Sequence, residues 1–256
     1  MNSLPLVDEA SFLGALTIAP ANSLPLDDEM KGILARADEL ARELDTEYKV
    51  SAGLGVVTER ARNLFHEVLV KLRSSLDFVM CRIYNKHSSL QGVERAKGER
   101  RAGLPICDAE DVFNRKLKSL GLSHLAEGKS DLYAKLRQSQ PFLTKKATTK
   151  NNSLVFIREL SNLGKHVRMA KQDVRLRPAR RFTGPDGQVA IATEGVVFND
   201  GKSDGPWSNC TIENVTWATF VAYTDSGEPI FPEPVFLCLE LRLWVRSYVQ
   251  EIVALI

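Results

Sequence analysis

Cysteine is scarce in this sequence: Cys81, Cys107, Cys210 and Cys238 stand far apart, with no CxxC pair among them. That spacing argues against both a zinc site and a disulfide framework, and predicts reduced, mostly buried thiols. Histidine is equally sparse. With only His66, His87, His124 and His166 available, a histidine-rich metal centre is not expected, and neither metal nor cofactor is predicted. No run approaches the roughly 18 consecutive apolar residues of a membrane span. The N-terminus also lacks a basic stretch followed by an apolar run and a cleavage site. These absences predict a cytoplasmic chain with no membrane partner. A GxGxxG turn, a Walker loop, a GxSxG elbow and an HExxH pair are all missing, which sets aside the enzyme classes built on them. Charge of one sign is lacking too: 34 Lys and Arg against 32 Asp and Glu leave a net charge of +2, so the bulk charge names no partner.

What remains is a globular composition. Hydrophobic residues make up 44% and charged residues 26% of 256 residues, enough chain to bury a full core. The segment Asn2 to Glu9 is nearly repeated at Asn22 to Glu29, each copy running Asn-Ser-Leu-Pro-Leu into acidic residues. Proline fixes an extended approach, and Asp27 or Asp28 can cap the helix that follows. Residues 1–26 are therefore read as an N-terminal extension, and 27–256 as a single α+β domain with an irregular charged insertion at about 86–152.

Three-four spacing of apolar residues predicts helices over 28–46 and 58–85. In the second, Leu64, Phe65, Val68, Leu69, Leu72, Leu76, Val79, Met80 and Ile83 make a core face. The insertion reads as a charged, mobile segment from Gly92 to Gly103, short helices near 108–119 and 127–138, and a polar run from Thr144 to Asn152. A second core helix is expected at 153–170, with Leu154, Ile157, Leu160, Leu163 and Val167 inward. From about 171 the pattern turns to alternation. Gln188 to Thr193 and Thr211 to Tyr223 are the best strands, with turns at Gly184 to Gly187 and Asn199 to Gly201. A final helix at 235–256 presents Leu237, Leu241, Trp244, Tyr248 and Ile252. The fold class expected is α+β: a mainly helical core, a small antiparallel sheet in the C-terminal third, and a C-terminal packing helix.

Two polar stripes carry the candidate chemistry. At 100° per residue, His66, Arg73, Asp77 and Tyr84 lie within about 20° of one line on the long helix. On the later helix Arg158, Asn162 and His166 lie within about 40° of a line, with Lys165 on its flank. If the helices share a core, Asp77 can meet His166 and Arg73 can meet Asn162. An Asp orienting a His raises its basicity, so His166 can move a proton near neutral pH, while Arg73 and Lys165 hold a phosphate. The plainer reading is an i,i+4 pair, Arg73 with Asp77, on a solvated helix face, worth about 0.5 kcal/mol or less.

With those residues in view, the chain resembles a group of uncharacterised bacterial proteins with LRSALD, FPI, QPY and NxDKHR motifs in series. Here they stand as Leu72 to Asp77, Leu104 to Ile106, Gln140 to Phe142, and Asn162 to His166. The order matches across roughly residues 60–256. Gly164 replaces an acidic residue of that pattern, and Val167 follows the His where an Arg is usual. The resemblance selects Arg73, Asp77, Asn162 and His166 without implying a reaction. A looser similarity is to HEPN domains, helical modules that often act as metal-independent ribonucleases through an R-x(4–6)-H motif. Arg82 to His87 fits that string, as does Arg60 to His66. On a continuous helix, however, Arg82 and His87 leave the axis about 140° apart, so only a break near Asn85 would bring them together.

From Lys165 to Arg181 there are seven basic residues, Lys165, Arg168, Lys171, Arg175, Arg177, Arg180 and Arg181, and one acid, Asp173. Lys145, Lys146 and Lys150 precede the same helix, and Arg95, Lys97, Arg100 and Arg101 lie in the charged segment. Such a density can follow a nucleic-acid backbone, although no aromatic residues interleave with it as a platform for bases. The function expected is a phosphate-directed hydrolase, specifically a metal-independent, HEPN-like ribonuclease acting in defence or stress, on RNA or a nucleotide. The alternative is a non-catalytic protein- or nucleic-acid-interaction module whose Arg, Asp, Asn and His cluster is structural, with a homodimer or another protein as further partners.

Overall fold

The computed structural model describes residues 26, 28–144, 153–163, 172–183, 189–193, 211–223, 229–230 and 234–256. Helix predominates among them. The chain opens with α1 (Asp28–Leu54) and α2 (Glu59–His87), an antiparallel hairpin that forms the centre of the core. Helix α1 buries Met30, Leu34, Ala37, Leu40, Ala41, Leu44, Tyr48 and Ser51. That three-four spacing continues past residue 46, which is why the helix outruns the length expected. The turn into α2 is set by Thr58, whose hydroxyl accepts from the Ala61 amide at 3.1 Å and donates to the Glu47 carboxylate at 2.6 Å. Satisfying an orphan amide in this way fixes the helix start.

The chain between α2 and residue 144 was expected to be irregular and, from Gly92 to Gly103, mobile. The segment from Gly92 instead forms α3 (Gly92–Glu99), and the two short helices expected near 108–119 and 127–138 are present as α4 (Glu110–Ser119) and α6 (Ser130–Gln138), with α5 (Leu125–Gly128) and α7 (Pro141–Thr144) beside them. Leu104, Ile106, Phe113, Leu117, Leu122, Leu125, Leu132 and Leu136 are buried in the same core as the hairpin. The charges of α3 disguise its anchor. Tyr84, expected on a polar stripe, is fully buried, and its hydroxyl donates to the Arg95 carbonyl at 2.6 Å. Gly98 packs on that ring so closely that a Cβ there would lie 2.9 Å from Tyr84 Cζ.

Helix α8 (Ser153–Leu163) packs on α2, burying Leu154, Ile157 and Leu160. The expected continuation to residue 170 lies outside the described residues. Four strands follow: β1 (Gln172–Thr183), β2 (Val189–Thr193), β3 (Thr211–Tyr223) and β4 (Pro229–Ile230). They pair antiparallel in the order β2-β1-β3-β4. The turns proposed at Gly184 to Gly187 and Asn199 to Gly201 lie outside the described residues. In β1, Pro178 sits one residue beyond the β2 pairing, which covers only Ala179–Thr183. There β1 has one neighbour, and a residue without an amide hydrogen is tolerated.

The closing helix α9 (Pro234–Leu255) returns to the core, burying Leu237, Cys238, Leu241, Val245, Tyr248, Val249 and Ile252. Asp38 of α1 clasps it through Arg246 at 2.5 Å and Arg242 at 3.3 Å. Cys238 is fully buried, and its thiol is pushed far up by that burial. No helix among the described residues is long and apolar enough to cross a membrane.

Candidate functional site

Arg73 and Asp77, one turn apart on α2, do meet. Arg73 Nε donates to Asp77 Oδ2 at 3.1 Å, and Nη2 approaches Asp77 Oδ1 at 2.9 Å, a two-point contact. Both side chains keep partial exposure, 23% and 38%. What they do next was not legible in the helical stripe. Arg73 Nη2 also donates to the Leu104 carbonyl at 2.9 Å, while the Leu104 amide donates to Asp77 Oδ1 at 2.9 Å. The pair therefore reads both polar groups of one peptide residue, as a neighbouring strand would.

Leu104 belongs to an extended segment, 102–107, that crosses α2 between α3 and α4. Its apolar side chains, Ala102, Leu104, Ile106 and Cys107, are buried, so its backbone needs partners from elsewhere in the core. Two further groups supply them, and an ion pair flanks the segment. The Cys81 thiol donates to the Ala102 carbonyl at 3.1 Å. Gln140, fully buried, accepts from the Cys107 amide at 3.0 Å and donates to the Leu136 carbonyl at 3.1 Å. Arg158 of α8 reaches Asp108 at 2.8 Å, just past the segment's end. Gly103 fits closely where the clamp closes: a Cβ would lie 2.9 Å from Asp77 Oδ1 and 3.3 Å from its Cγ, so the carboxylate would have to shift.

Three of the four motifs singled out in the sequence are thus brought together around this segment. Arg73 and Asp77 come from the first, Leu104 from the second and Gln140 from the third. Asn162, from the fourth, lies in the last turn of α8, a helix that packs on α2. Lys165 and His166 lie outside the described residues, so the proposed Asp77 to His166 contact does not enter the described geometry. Asp77 already accepts two hydrogen bonds, one at each oxygen, and has the Arg73 Nη2 ion-pair contact at Oδ1 besides.

The second pair, Arg82 and His87, fares differently. Helix α2 runs unbroken through His87, so the break that would bring them together is absent. His87 Nε2 is buried with no hydrogen-bond partner among the described residues. Burial, then the nearby Lys129, Lys86 and His124, lowers its pKa below the usual imidazole value. His66, expected beside Arg73, is also lowered, chiefly by burial. At His66 the neighbouring Glu67 opposes that lowering without overcoming it, and at His87 the charged neighbours that act are cationic.

Of the residues expected to bind nucleic acid, Arg168 and Lys171 lie outside the described residues. Arg175, Arg177, Arg180 and Arg181 all fall in β1, but alternation divides them. Arg175, Arg177 and Arg181 share one face, and Arg180 takes the other. A groove between α1 and α2 is lined by Arg36, Glu43, Arg60, Asn63 and Glu67, among others. Its cations sit against its own carboxylates, Arg36 at 3.4 Å and Arg60 at 3.5 Å from Glu43. Among the described residues no three His, Cys, Asp or Glu side chains converge as metal ligands. In comparisons with family models, with curated proteins and with solved structures, nothing matches the chain.

Proposed function

We propose that this chain is a non-catalytic interaction module of α+β fold, that its Arg73–Asp77 pair is structural, and that its partner is a nucleic acid. One observation carries the structural half: Arg73 and Asp77 are spent on the peptide groups of Leu104. A catalytic carboxylate must be available to an imidazole or a substrate, whereas each oxygen of this one already accepts a hydrogen bond, from Arg73 or from the Leu104 amide. The partner half rests on the arginines that β1 gathers into a short length of strand, where closely spaced guanidinium groups suit a polyanion.

The ribonuclease reading makes the opposite demand, that Asp77 serve His166. Purified protein incubated with single-stranded and hairpin RNA separates the two. We expect the RNA to be retained intact in a salt-sensitive complex, and Asp77→Ala to lower the melting temperature. Cleavage that disappears in His166→Ala and in Asp77→Asn, with melting unchanged in both, would return the protein to the hydrolases.

A further inference from the structure

We infer that the sheet face shared by Arg175, Arg177 and Arg181 is a platform for single-stranded nucleic acid, with Trp217 as the residue on which a base stacks. This rests on the nucleic-acid reading above and adds the surface and the form of the ligand. The register carries the argument. Strand β3 lies antiparallel to β1 with Arg175 opposite Thr219, Arg177 opposite Trp217 and Arg181 opposite Glu213. Directly opposed residues share a face, their Cβ atoms about 5 Å apart. The sequence hid this juxtaposition because Arg177 and Trp217 are 40 positions apart.

The sides of the sheet are distinguished at its described positions. Gln172, on the face opposite the three arginines, is buried and receives the Tyr48 hydroxyl of α1 at 2.5 Å. At that corner the sheet meets α1. Thr211 and Glu213, on the arginine face, are exposed, and Asp173 and Thr183 at its other corners are partly so. By register, the face of Gln172 carries Val174, Leu176, Arg180, Phe182, Ile212 and Phe220, and the other carries Arg175, Arg177 and Arg181 with Val215, Trp217, Thr219, Val221 and Tyr223.

Charge and aromatic placement together select the occupant. On β1 and β3 the two acids of the arginine face stand at Asp173 and Glu213, and Glu213 is directly opposite Arg181. Arg175 and Arg177 face Thr219 and Trp217 instead, so the centre of the face is cationic beside an indole position. Those two arginines are about 7 Å apart along the strand. An extended single strand can lay phosphates along that row while one base lies on the indole. A duplex keeps its bases stacked inside and offers an indole no free base face. An acidic protein partner would engage the arginines but gain nothing specific from base stacking.

The test is binding of a labelled twelve-residue oligouridylate to the full chain, followed by fluorescence anisotropy at several salt concentrations, with the matching RNA duplex as competitor. Trp217→Ala is expected to weaken binding about tenfold or more, the range that base stacking on an aromatic supplies. Trp217→Phe should keep most of the affinity, and Arg175→Ala and Arg177→Ala should each weaken binding and flatten its salt dependence. Circular-dichroism melting of each variant checks that the fold is retained, and Trp217→Phe serves if Trp217→Ala does not fold. Parent-like affinity in folded Trp217→Ala, or tighter binding of duplex than of single strand, overturns the platform while leaving a nucleic-acid module standing. No binding of either RNA by the parent overturns both.

Discussion

At the scale of single residues, the account turns on how a surface-type ion pair becomes a structural element. An exposed i,i+4 pair contributes a few tenths of a kcal/mol, but the Arg73–Asp77 pair also holds both polar groups of Leu104. Hydrogen bonds to charged groups are worth about 1.5–3 kcal/mol each when lost. Asp77→Ala should therefore cost about 2 kcal/mol and lower Tm by roughly 4–8 °C, measured by thermal unfolding. Gly103→Ala should act through the same contact. The added Cβ pushes on a carboxylate held by Arg73 and the Leu104 amide, so the carboxylate must leave that amide. Its loss of Tm should approach that of Asp77→Ala, and the double variant should lose little more than either, the signature of two residues in one contact. Additive losses would show that the glycine and the carboxylate act separately.

At the scale of elements, periodicity made the helices legible. Helices α1, α2, α4 and α9 lie close to their expected places because each presents a regular apolar face to the core. The segment 102–107 was not legible as a clamped strap, since its contacts reach back 27 and 31 residues to Asp77 and Arg73 through backbone atoms, which leave no pattern in side-chain identity. Helix α3 was misread for a related reason: seven of its eight residues are not buried, and its one buried residue is Gly98, whose contact with Tyr84 has no hydrophobic signature. The C-terminal end of α2 carries a prediction of its own. His87 has a folded pKa below the ordinary 6.5, so between those two values the unfolded chain binds the proton more readily. Its contribution is full above pH 6.5 and is lost as pH falls through the lowered folded value. Tm should decline on acidification from pH 7.5 to about 5, and His87→Gln should flatten that decline; an identical profile in the variant would assign the decline to other groups.

At the scale of the whole molecule, helical core and strands meet at a specific buried contact. Tyr48 of α1 reaches Gln172, the first residue of β1, across 124 positions. Removing the hydroxyl strands a buried amide oxygen, so Tyr48→Phe should cost about 1–3 kcal/mol, read by denaturant unfolding; a cost near zero would mean that the strands are tied elsewhere. The motif series gains a physical meaning at this scale. Three of the motifs meet around one strap, and their spread across the chain reflects a tertiary clamp. Arg175, Arg177 and Trp217 belong to a different region of the fold, so clamp and platform are separable by mutation.

Hydrogen exchange at the Leu104 amide tests the structural reading of Arg73 and Asp77 most directly. That amide is expected to be strongly protected in the parent and to exchange far faster in Asp77→Ala, while the amides of the α2 interior, such as Leu72, change much less. A Leu104 amide that is unprotected in the parent, or equally protected in Asp77→Ala, would contradict the clamp.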